Sequence, residues 1–251
     1  NYRLDNGRVE KAESMTVALT EVDYYIYKLF YTWDDDPYIY DIYIADRGKL
    51  PPYMLNVLNQ HYKAKAEMKS KGWHKMPEHM ADYAIEKSGV NSFYGMTITR
   101  IQLNEIKYIT DWETLTGKID FEKEKRNQIL LPQWGIYCTS WGRYHLLSTL
   151  YKIYTVCGNI TAYGDTDSLK NLHHPLLQSV IDAVNAETKA LLLKNGLTDP
   201  VFADLGCFDK EECYIKAKFN GAKRYLAMYP DGSVHATIAG LPKEAILRLD
   251  E

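Results

Sequence analysis

The chain has 251 residues, enough for one large domain or two small ones. Its composition is 46% hydrophobic, 25% charged and 13% aromatic, which excludes a disordered chain, a collagen-like repeat and a disulfide scaffold. No run of about 18 apolar residues occurs and the net charge is only −3, so neither a membrane partner nor a transmembrane helix is expected, and the bulk charge does not indicate nucleic acid.

The first 48 residues contain one predicted helix and one predicted strand. Thr20, with Asp23 three residues later, resembles a capping box and predicts a helix that ends at Phe30. Three consecutive aspartates at 34–36 predict a solvated turn rather than a metal site. Residues 38–45 are rich in Tyr and Ile and predict a strand.

Two adjacent helices are predicted next. A pair of prolines starts a helix over 51–71, and a second helix covers 78–94. The short link between them predicts an antiparallel helical hairpin. Residues 96–133 are polar and irregular, which predicts a solvated insertion.

The rest of the chain alternates helices with short strands. Residues 140–157 predict a third helix, 160–172 a strand–turn–strand, and 175–195 a fourth helix. Residues 213–238 predict an antiparallel meander with two hairpin turns, and a further helix is expected after Pro242. The predicted fold class is therefore α+β.

Cysteine and histidine spacing does not indicate a metal site. Four cysteines show neither a C-x-x-C motif nor zinc-finger spacing, and free buried thiols are expected at Cys138, Cys157, Cys207 and Cys213. Free thiols are typical of a reducing compartment, so a cytoplasmic location is expected. His173 and His174 are adjacent, and neighbouring side chains point apart, so a capping or surface role is predicted.

The strongest chemical motif is Tyr163-Gly164-Asp165-Thr166-Asp167-Ser168, at the tip of a predicted β-hairpin. Asp165 and Asp167 alternate, so a strand presents both on one face and a turn can aim both into the same space. Mg²⁺ binds carboxylate oxygens together with water and substrate phosphates, and two-metal phosphoryl transfer needs such carboxylates. Taken alone, the motif slightly favours a simple acidic turn.

A second motif lies on the predicted helix over 78–94. Lys87, Asn91 and Tyr94 are spaced i, i+4 and i+7, so they share one helix face within roughly 60°. That face presents a cation for a phosphate, an amide, and a phenol for a base or a sugar. A mixed surface face with one packed tyrosine is the alternative.

Two further motifs carry cations. Lys223 and Tyr225 are predicted to point to the same side of a strand in a basic stretch that can bind a phosphate backbone. Exposed lysines that prevent edge pairing are the alternative. Thr139 is predicted to be an N-cap, and Arg143 near the start of the same helix is unfavourable unless a phosphate or carboxylate lies close by.

Together these motifs resemble the family-B DNA polymerases, in sequence and in order. The similar segments are Lys87-x-x-x-Asn91-Ser92-x-Tyr94-Gly95 (fingers helix), Thr139-x-x-Gly142-Arg143 (DNA contact), Tyr163-x-Asp165-Thr166-Asp167-Ser168 (catalytic palm hairpin) and Lys223-x-Tyr225 (primer strand). The resemblance extends from about Leu19 to Glu251. The 43 residues between Gly95 and Thr139 resemble an insertion of the protein-primed phage and linear-plasmid branch.

The resemblance implies a polymerase architecture. It consists of a palm, which is an antiparallel sheet with a catalytic β-hairpin, together with helical-hairpin fingers, an insertion and the start of a thumb. The implied segments are 1–48 (end of an insertion and palm-connecting region), 49–95 (fingers), 96–136 (insertion), 137–240 (palm) and 241–251 (thumb).

The resemblance also implies roles and ligands. Asp167 would bind the metal, and Asp165 would be a catalytic carboxylate and metal ligand beside it. The nucleotide would contact Lys87, Asn91 and Tyr94, and DNA would contact Thr139, Arg143, Lys223 and Tyr225. The implied activity is DNA-directed nucleotidyl transfer from a dNTP to a primer 3′-OH or a protein hydroxyl. Mg²⁺ (two ions, with Mn²⁺ as a substitute), template–primer DNA, dNTP and a terminal protein are the implied ligands.

Further lysines on the opposing fingers helix are candidates for phosphate contact, and the sequence does not decide among Lys63, Lys65 and Lys69.

The family's other metal-binding aspartate lies in an upstream D-x-x-S-L-Y-P motif, and no Ser-Leu-Tyr-Pro occurs in this sequence. The chain is therefore expected to be a fragment of a longer polymerase, or the C-terminal part of a split enzyme, with little activity alone. A non-catalytic nucleic-acid-binding subunit derived from a polymerase is the alternative.

Overall fold

The computed structural model describes residues 2–5, 8–44, 48, 50–98, 105–108, 112–115, 131–211 and 213–240. This part of the chain is of mixed α+β class, which confirms the predicted class. By its internal contacts the chain divides into two compact units. We call residues 32–141 the central unit, and residues 1–31 with 142–251 the outer unit.

The described helices are α1 (Glu21–Phe30), α2 (Pro52–Ser70), α3 (Met80–Thr97), α4 (Pro132–Cys157) and α5 (Leu177–Lys194). The described strands are β1 (Tyr2–Asp5), β2 (Arg8–Ala12), β3 (Glu105–Tyr108), β4 (Trp112–Leu115), β5 (Thr161–Asp165), β6 (Ser168–Asn171), β7 (Lys216–Gly221), β8 (Arg224–Met228) and β9 (Val234–Ile238). The first six strands form three antiparallel two-stranded sheets in sequence order, and β7–β8–β9 form an antiparallel meander.

In the central unit, α2 and α3 form the predicted helical hairpin. The link contains Gly72 at a φ of +74° and two short 3₁₀ turns. Across the hairpin, His61 Nδ1 lies 2.7 Å from a carboxylate oxygen of Glu86. A Cβ on Gly89 would lie only 2.8 Å from the His61 ring, so this glycine lets the two helices approach closely.

Helix α4 begins eight residues before the predicted start at Ser140, so that prediction is wrong. Pro132 takes the first helical position, where its missing N–H has no cost. Thr139 and Ser140 therefore lie inside the helix, and each hydroxyl donates to the carbonyl four residues earlier. Thr139 is not an N-cap.

The irregular insertion predicted over 96–133 contains β3 and β4 and lies otherwise mostly outside the described residues.

The strand predicted over 38–45 is also wrong. Residues 38–44 form neither helix nor strand, and Tyr43 and Ile44 are 95% and 91% exposed. Strand propensity needs a partner strand, and no described strand pairs with this segment. The aspartates at 34–36 lie in an exposed loop, which confirms the predicted solvated turn.

In the outer unit, local sequence patterns predicted most elements correctly. Thr20 caps α1 by accepting the Asp23 N–H at 3.1 Å. The strand–turn–strand, the fourth predicted helix and the meander are confirmed as β5–β6, α5 and β7–β8–β9. A small apolar core joins Ile153, Cys157 and Val180 beneath the β5–β6 hairpin, where Leu169 packs against it. The helix predicted after Pro242 lies outside the described residues.

The four cysteines are free, as predicted, but only Cys157 is buried, whereas Cys138 and Cys213 are exposed. His174 accepts the Leu176 N–H just before α5, but no side chain caps this helix, and His173 is exposed, so of the predicted capping or surface role the surface part fits. Within the described ranges, no helix combines the length and apolar character that crossing a bilayer requires.

Candidate functional site

The tip of the β5–β6 hairpin is an unusually tight turn. Asp165 and Ser168 close the hairpin, and the Asp167 N–H donates to the Asp165 carbonyl at 2.6 Å. Thr166 between them has a φ of +53°, so the tip has the features of a γ-turn. A β-branched residue at positive φ is strained by about 1–3 kcal/mol and persists only when its surroundings fix it.

The Asp165 carboxylate is surrounded by donors from two motifs. The ammonium of Lys223 lies 3.1 and 3.0 Å from its two oxygens, and the Thr166 hydroxyl donates to it at 2.9 Å. Partial burial acts to raise the pKa of Asp165. Hydrogen bonds from Lys223 and Thr166 and the Lys223 charge outweigh it, so the pKa lies below its ordinary value.

Lys223 is fixed by its backbone as well as by its side chain. Its N–H donates to the Tyr163 hydroxyl at 2.8 Å, and its carbonyl accepts the Ala239 N–H at 2.9 Å. Lys223 has a φ of +55° and lies in the turn before β8, not in a strand as predicted. The hydrogen bond and charge of Asp165 raise the pKa of Lys223.

Aromatic rings pack the two motifs together. The Tyr163 ring stacks on Phe219 with centroids 5.0 Å apart and an interplanar angle of 5°. Tyr225 contacts the same Tyr163 ring at 5.4 Å. Tyr163 therefore links the hairpin to both Lys223 and Tyr225, and it is a structural residue of the site that the motif contained but for which the sequence predicted no role.

Asp167 differs from Asp165 in its surroundings. Its side chain is exposed beyond the hairpin tip, and its negative charge contributes to the raised pKa of Lys223. Across the described ranges, no group of three or more His, Cys, Asp or Glu side chains is placed to hold a metal ion. An exposed carboxylate oxygen is a suitable ligand for Mg²⁺, so Asp167 can supply part of a coordination sphere.

In the central unit, three lysines form a cationic cluster on the helical hairpin. Burial, followed by the charges of Lys69 and Lys87, lowers the pKa of Lys65. The cluster therefore joins Lys65 and Lys69 of α2 to Lys87 of α3, while Lys63 lies about 200° around α2 from Lys65. Mutual repulsion among ammonium groups is relieved by an anion, so the cluster is a candidate phosphate site.

Tyr94 is held by a contact between α3 and α4. The Thr139 hydroxyl donates to the Gly135 carbonyl at 2.7 Å, so the Tyr94 hydroxyl, 3.0 Å away, is the donor to Thr139. A Cβ on Gly135 would overlap Thr97 and Ile98, so this glycine permits the close approach. The structure thus brings together Tyr94 and Thr139, while Asn91 is exposed on the same helix as Tyr94.

Arg143 has a carboxylate partner, although it lies in the middle of α4 and not near the start of a helix as predicted. Its guanidinium donates to both oxygens of Asp23 at 3.0 Å, and Asp23 is only 8% exposed. Bidentate pairs of this kind are the stronger type of ion pair. The Thr20–Asp23 capping box indicated Asp23 in the sequence, but nothing there indicated its pairing with Arg143 across 120 residues.

No protein-family model matches this chain, and no curated protein and no solved structure matches it. The resemblance to family-B polymerases therefore rests on the sequence motifs.

Proposed function

We propose that the chain is the polymerase portion of a family-B DNA polymerase of the protein-primed branch. The proposed reaction is DNA-directed nucleotidyl transfer from a dNTP to a primer 3′-OH or to a protein hydroxyl. The single observation that carries the proposal is the contact of Asp165 with Lys223, because it joins the hairpin motif to the Lys-x-Tyr motif.

The contact weighs against the alternative reading of each motif. A simple acidic turn needs no partner 58 residues away, and a lysine that only protects a sheet edge points into solvent. Instead, Lys223 is held at its N–H, its carbonyl and its ammonium. Two strained turns, at Thr166 and Lys223, face each other across this contact. Strained backbone of this kind clusters at functional sites, which supports the proposal.

Within this proposal the two carboxylates have different tasks. Asp167 binds Mg²⁺ through its exposed carboxylate, and Asp165 holds Lys223 in place beside the primer strand. Mg²⁺ when bound neutralises charge on the transferred phosphates. The remaining carboxylate ligand comes from the D-x-x-S-L-Y-P motif, which this sequence lacks. The isolated chain is therefore expected to bind DNA and nucleotide without measurable extension.

The nucleotide is proposed to bind the central unit. Lys87 with Lys65 and Lys69 attracts the triphosphate, and Tyr94 packs on the nascent base pair with Asn91 beside it. The hydrogen bond from Tyr94 to Thr139 fixes the position of the phenol, which supports this role. In the architecture proposed for the chain, residues 49–95 are the fingers, 96–136 an insertion, 137–240 the palm and 241–251 the start of the thumb.

DNA is proposed to contact Lys223, Tyr225, Thr139 and Arg143. Tyr225 lies against Tyr163 close to the hairpin tip, which suits a contact with the primer strand. Arg143 is proposed to contact a phosphate while bound to Asp23, since a guanidinium has five N–H donors and the side chain is about half exposed.

A second candidate is a non-catalytic nucleic-acid-binding subunit. It is favoured by one observation: among the described residues, no group of three or more His, Cys, Asp or Glu side chains is placed to hold a metal ion. The two candidates differ in what the neighbouring coding sequence contains. An upstream D-x-x-S-L-Y-P motif, in frame or in an adjacent gene, supports the enzyme, and its absence supports the binding subunit.

Binding of a primer–template by the chain tests the proposal directly. Lys223→Met and Tyr225→Leu are each expected to weaken primer–template binding several-fold. Lys223→Met is also expected to reduce the salt dependence of binding, because a phosphate contact is lost. Lys189→Met, on the exposed side of α5, is the matched control. Equal affinity for all four proteins contradicts the proposed DNA site.

A further inference from the structure

The outer unit contains a concave site of about 560 Å³ that none of the motifs includes as a whole. Its wall is formed by the aromatic rings of Tyr214, Tyr225 and Tyr229, with Lys170 from β6 and Lys210 beside them. The volume is in the range of small-molecule sites in proteins. Only Tyr225 also belongs to the residues proposed to contact DNA.

The cation at this site is partly enclosed. The side chain of Lys170 is 17% exposed, and its ammonium lies 3.2 Å from a Glu211 carboxylate oxygen and 5.7 Å from the Tyr214 ring centroid. Burial acts to lower the pKa of Lys170. The hydrogen bond and charge of Glu211, together with the electrostatic effect of Tyr214 and Tyr225, outweigh burial and raise the pKa. Lys170 therefore carries its charge at neutral pH inside the cavity.

Glu211 is a counter-ion that a ligand can displace. The Glu211 side chain is 73% exposed, so most of its surface is already hydrated in the ion pair. Separating it from the Lys170 ammonium therefore costs little free energy. With Lys210 on the same wall, removal of Glu211 from the pair leaves two cations facing the cavity. The ligand that suits this arrangement is an anion.

The rings define the second part of the ligand. The Tyr214 and Tyr229 centroids are 5.2 Å apart, and His235 contacts both Tyr225 and Tyr229 at 5.9 and 6.4 Å. These rings form one cluster of tilted and edge-to-face aromatic contacts beside the cavity. Nucleic-acid bases stack on aromatic side chains largely independently of base identity. A flat ring joined to an anion is the chemistry of a nucleotide.

We propose that this cavity binds an unpaired nucleotide, with its phosphate against Lys170 and Lys210 and its base against the tyrosine rings. The site is additional to the proposed catalytic hairpin, and its test requires neither a divalent ion nor a primer. Failure of nucleotide binding here leaves the role of Asp167 intact, and failure of primer extension leaves this site intact.

Titration of the chain with dTMP, thymidine and inorganic phosphate, followed by calorimetry and amide NMR shifts, tests the proposal. We expect dTMP to bind more tightly than either of its parts and to shift residues around Lys170 and Tyr214. Lys170→Gln is expected to weaken dTMP binding about tenfold, the effect of losing a charge-assisted hydrogen bond. Glu211→Gln is expected to strengthen it about fivefold, because a competing charge worth about 1 kcal/mol is removed.

Lys152 and Glu187 form a control, since they are also a Lys–Glu ion pair of the outer unit but do not line the cavity. Lys152→Gln and Glu187→Gln are expected to leave dTMP affinity unchanged. Because Glu211 is exposed, Glu211→Gln remains informative even if Lys170→Gln unfolds. Equal affinities for Glu211→Gln and wild type, or equal binding of phosphate and dTMP, overturn the proposal.

Octathymidylate distinguishes a nucleotide that is part of a nucleic-acid strand from a free nucleotide. If it binds more tightly than dTMP and responds to Lys170→Gln and Glu211→Gln in the same directions, the occupant belongs to a nucleic-acid strand. If it binds no more tightly than dTMP, the occupant is a free nucleotide. Each result supports the nucleotide class, whereas octathymidylate binding that both substitutions leave unchanged contradicts it.

Discussion

The ammonium of Lys223 lies 3.0–3.1 Å from both carboxylate oxygens of Asp165, although 58 residues separate them in the chain. Each residue belongs to a turn with a non-glycine residue at positive φ, Thr166 beside Asp165 and Lys223 itself. Tyr163 connects the two turns through its hydroxyl. Asp165 at the hairpin tip and the Lys223-x-Tyr225 motif are therefore held together by direct contacts.

The first prediction concerns the charge of Asp165. Lys223→Met removes the strongest of the interactions that lower its pKa, so the pKa of Asp165 is expected to rise towards its ordinary value. Carboxyl NMR titration measures it. Lys218→Met, an exposed lysine on β7, is expected to leave the Asp165 titration unchanged, and an Asp165 pKa that does not move in Lys223→Met contradicts the pairing.

The second prediction is the pH dependence of this contact. The pKa of Asp165 is lowered in the folded chain, so its contribution to stability is present above about pH 4 and is lost as the pH falls through the folded pKa. The pKa of Lys223 is raised, so its contribution is lost only as the pH rises through a value above about 10.4. The protection factor of the Lys223 amide, which corrects exchange for its intrinsic pH dependence, is expected to be highest between these limits. A protection factor at pH 3 that equals or exceeds the one at pH 7 contradicts this.

The elements that the sequence predicted correctly depend on local chemistry. The cap at Thr20 and the prolines that start α2 act within a few residues, so short patterns revealed them. The hairpin turn predicted at Asn220-Gly221 is two residues out of place, since both residues belong to β7 and the turn lies at Ala222-Lys223. The start of α4 was predicted wrongly because Thr139 resembles an N-cap, whereas in the structure Pro132 starts the helix and Gly135 permits close contact with Thr97.

The parts of the candidate site that could not be predicted depend on contacts distant in sequence. The pairs Asp165–Lys223 and Arg143–Asp23 span 58 and 120 residues, and no periodicity encodes such a contact. The left-handed turn positions carry Thr166 and Lys223 rather than glycine or asparagine, so turn composition did not mark them. The segment predicted as a strand at 38–45 has strand propensity, but none of the described strands pairs with its residues 38–44.

The third prediction concerns the contact between α3 and α4. Gly135→Ala would place a Cβ against Thr97 and Ile98, and it is expected to destabilise the central unit by about 1–3 kcal/mol. Gly95→Ala on α3 of the same unit meets nothing within 4 Å and is expected to stabilise by up to about 1 kcal/mol. All five tryptophans lie within residues 32–141, so tryptophan fluorescence during urea unfolding reports on this unit. Equal midpoints for the two variants contradict the contact.

The fourth prediction concerns the lysine cluster. Lys87→Met removes a neighbouring positive charge, so the pKa of Lys65 is expected to rise. Loss of a phosphate contact is also expected to weaken dNTP binding, or to raise the dNTP KM in the complete enzyme, about tenfold for Lys87→Met and for Lys65→Met. Lys63→Met is the control because Lys63 faces away from Lys65 on α2. Unchanged nucleotide affinity in both cluster variants contradicts the proposed triphosphate site.

Primer extension with and without the Asp167 carboxylate tests the central claim most directly. The chain is completed with the segment that carries D-x-x-S-L-Y-P, and Mg²⁺-dependent extension of a primer–template is measured for Asp167→Ala and for Asp231→Ala, an exposed acid in another turn of the outer unit. We predict that Asp167→Ala abolishes extension while DNA binding persists, and that Asp231→Ala extends like wild type. Wild-type extension by Asp167→Ala would contradict the account.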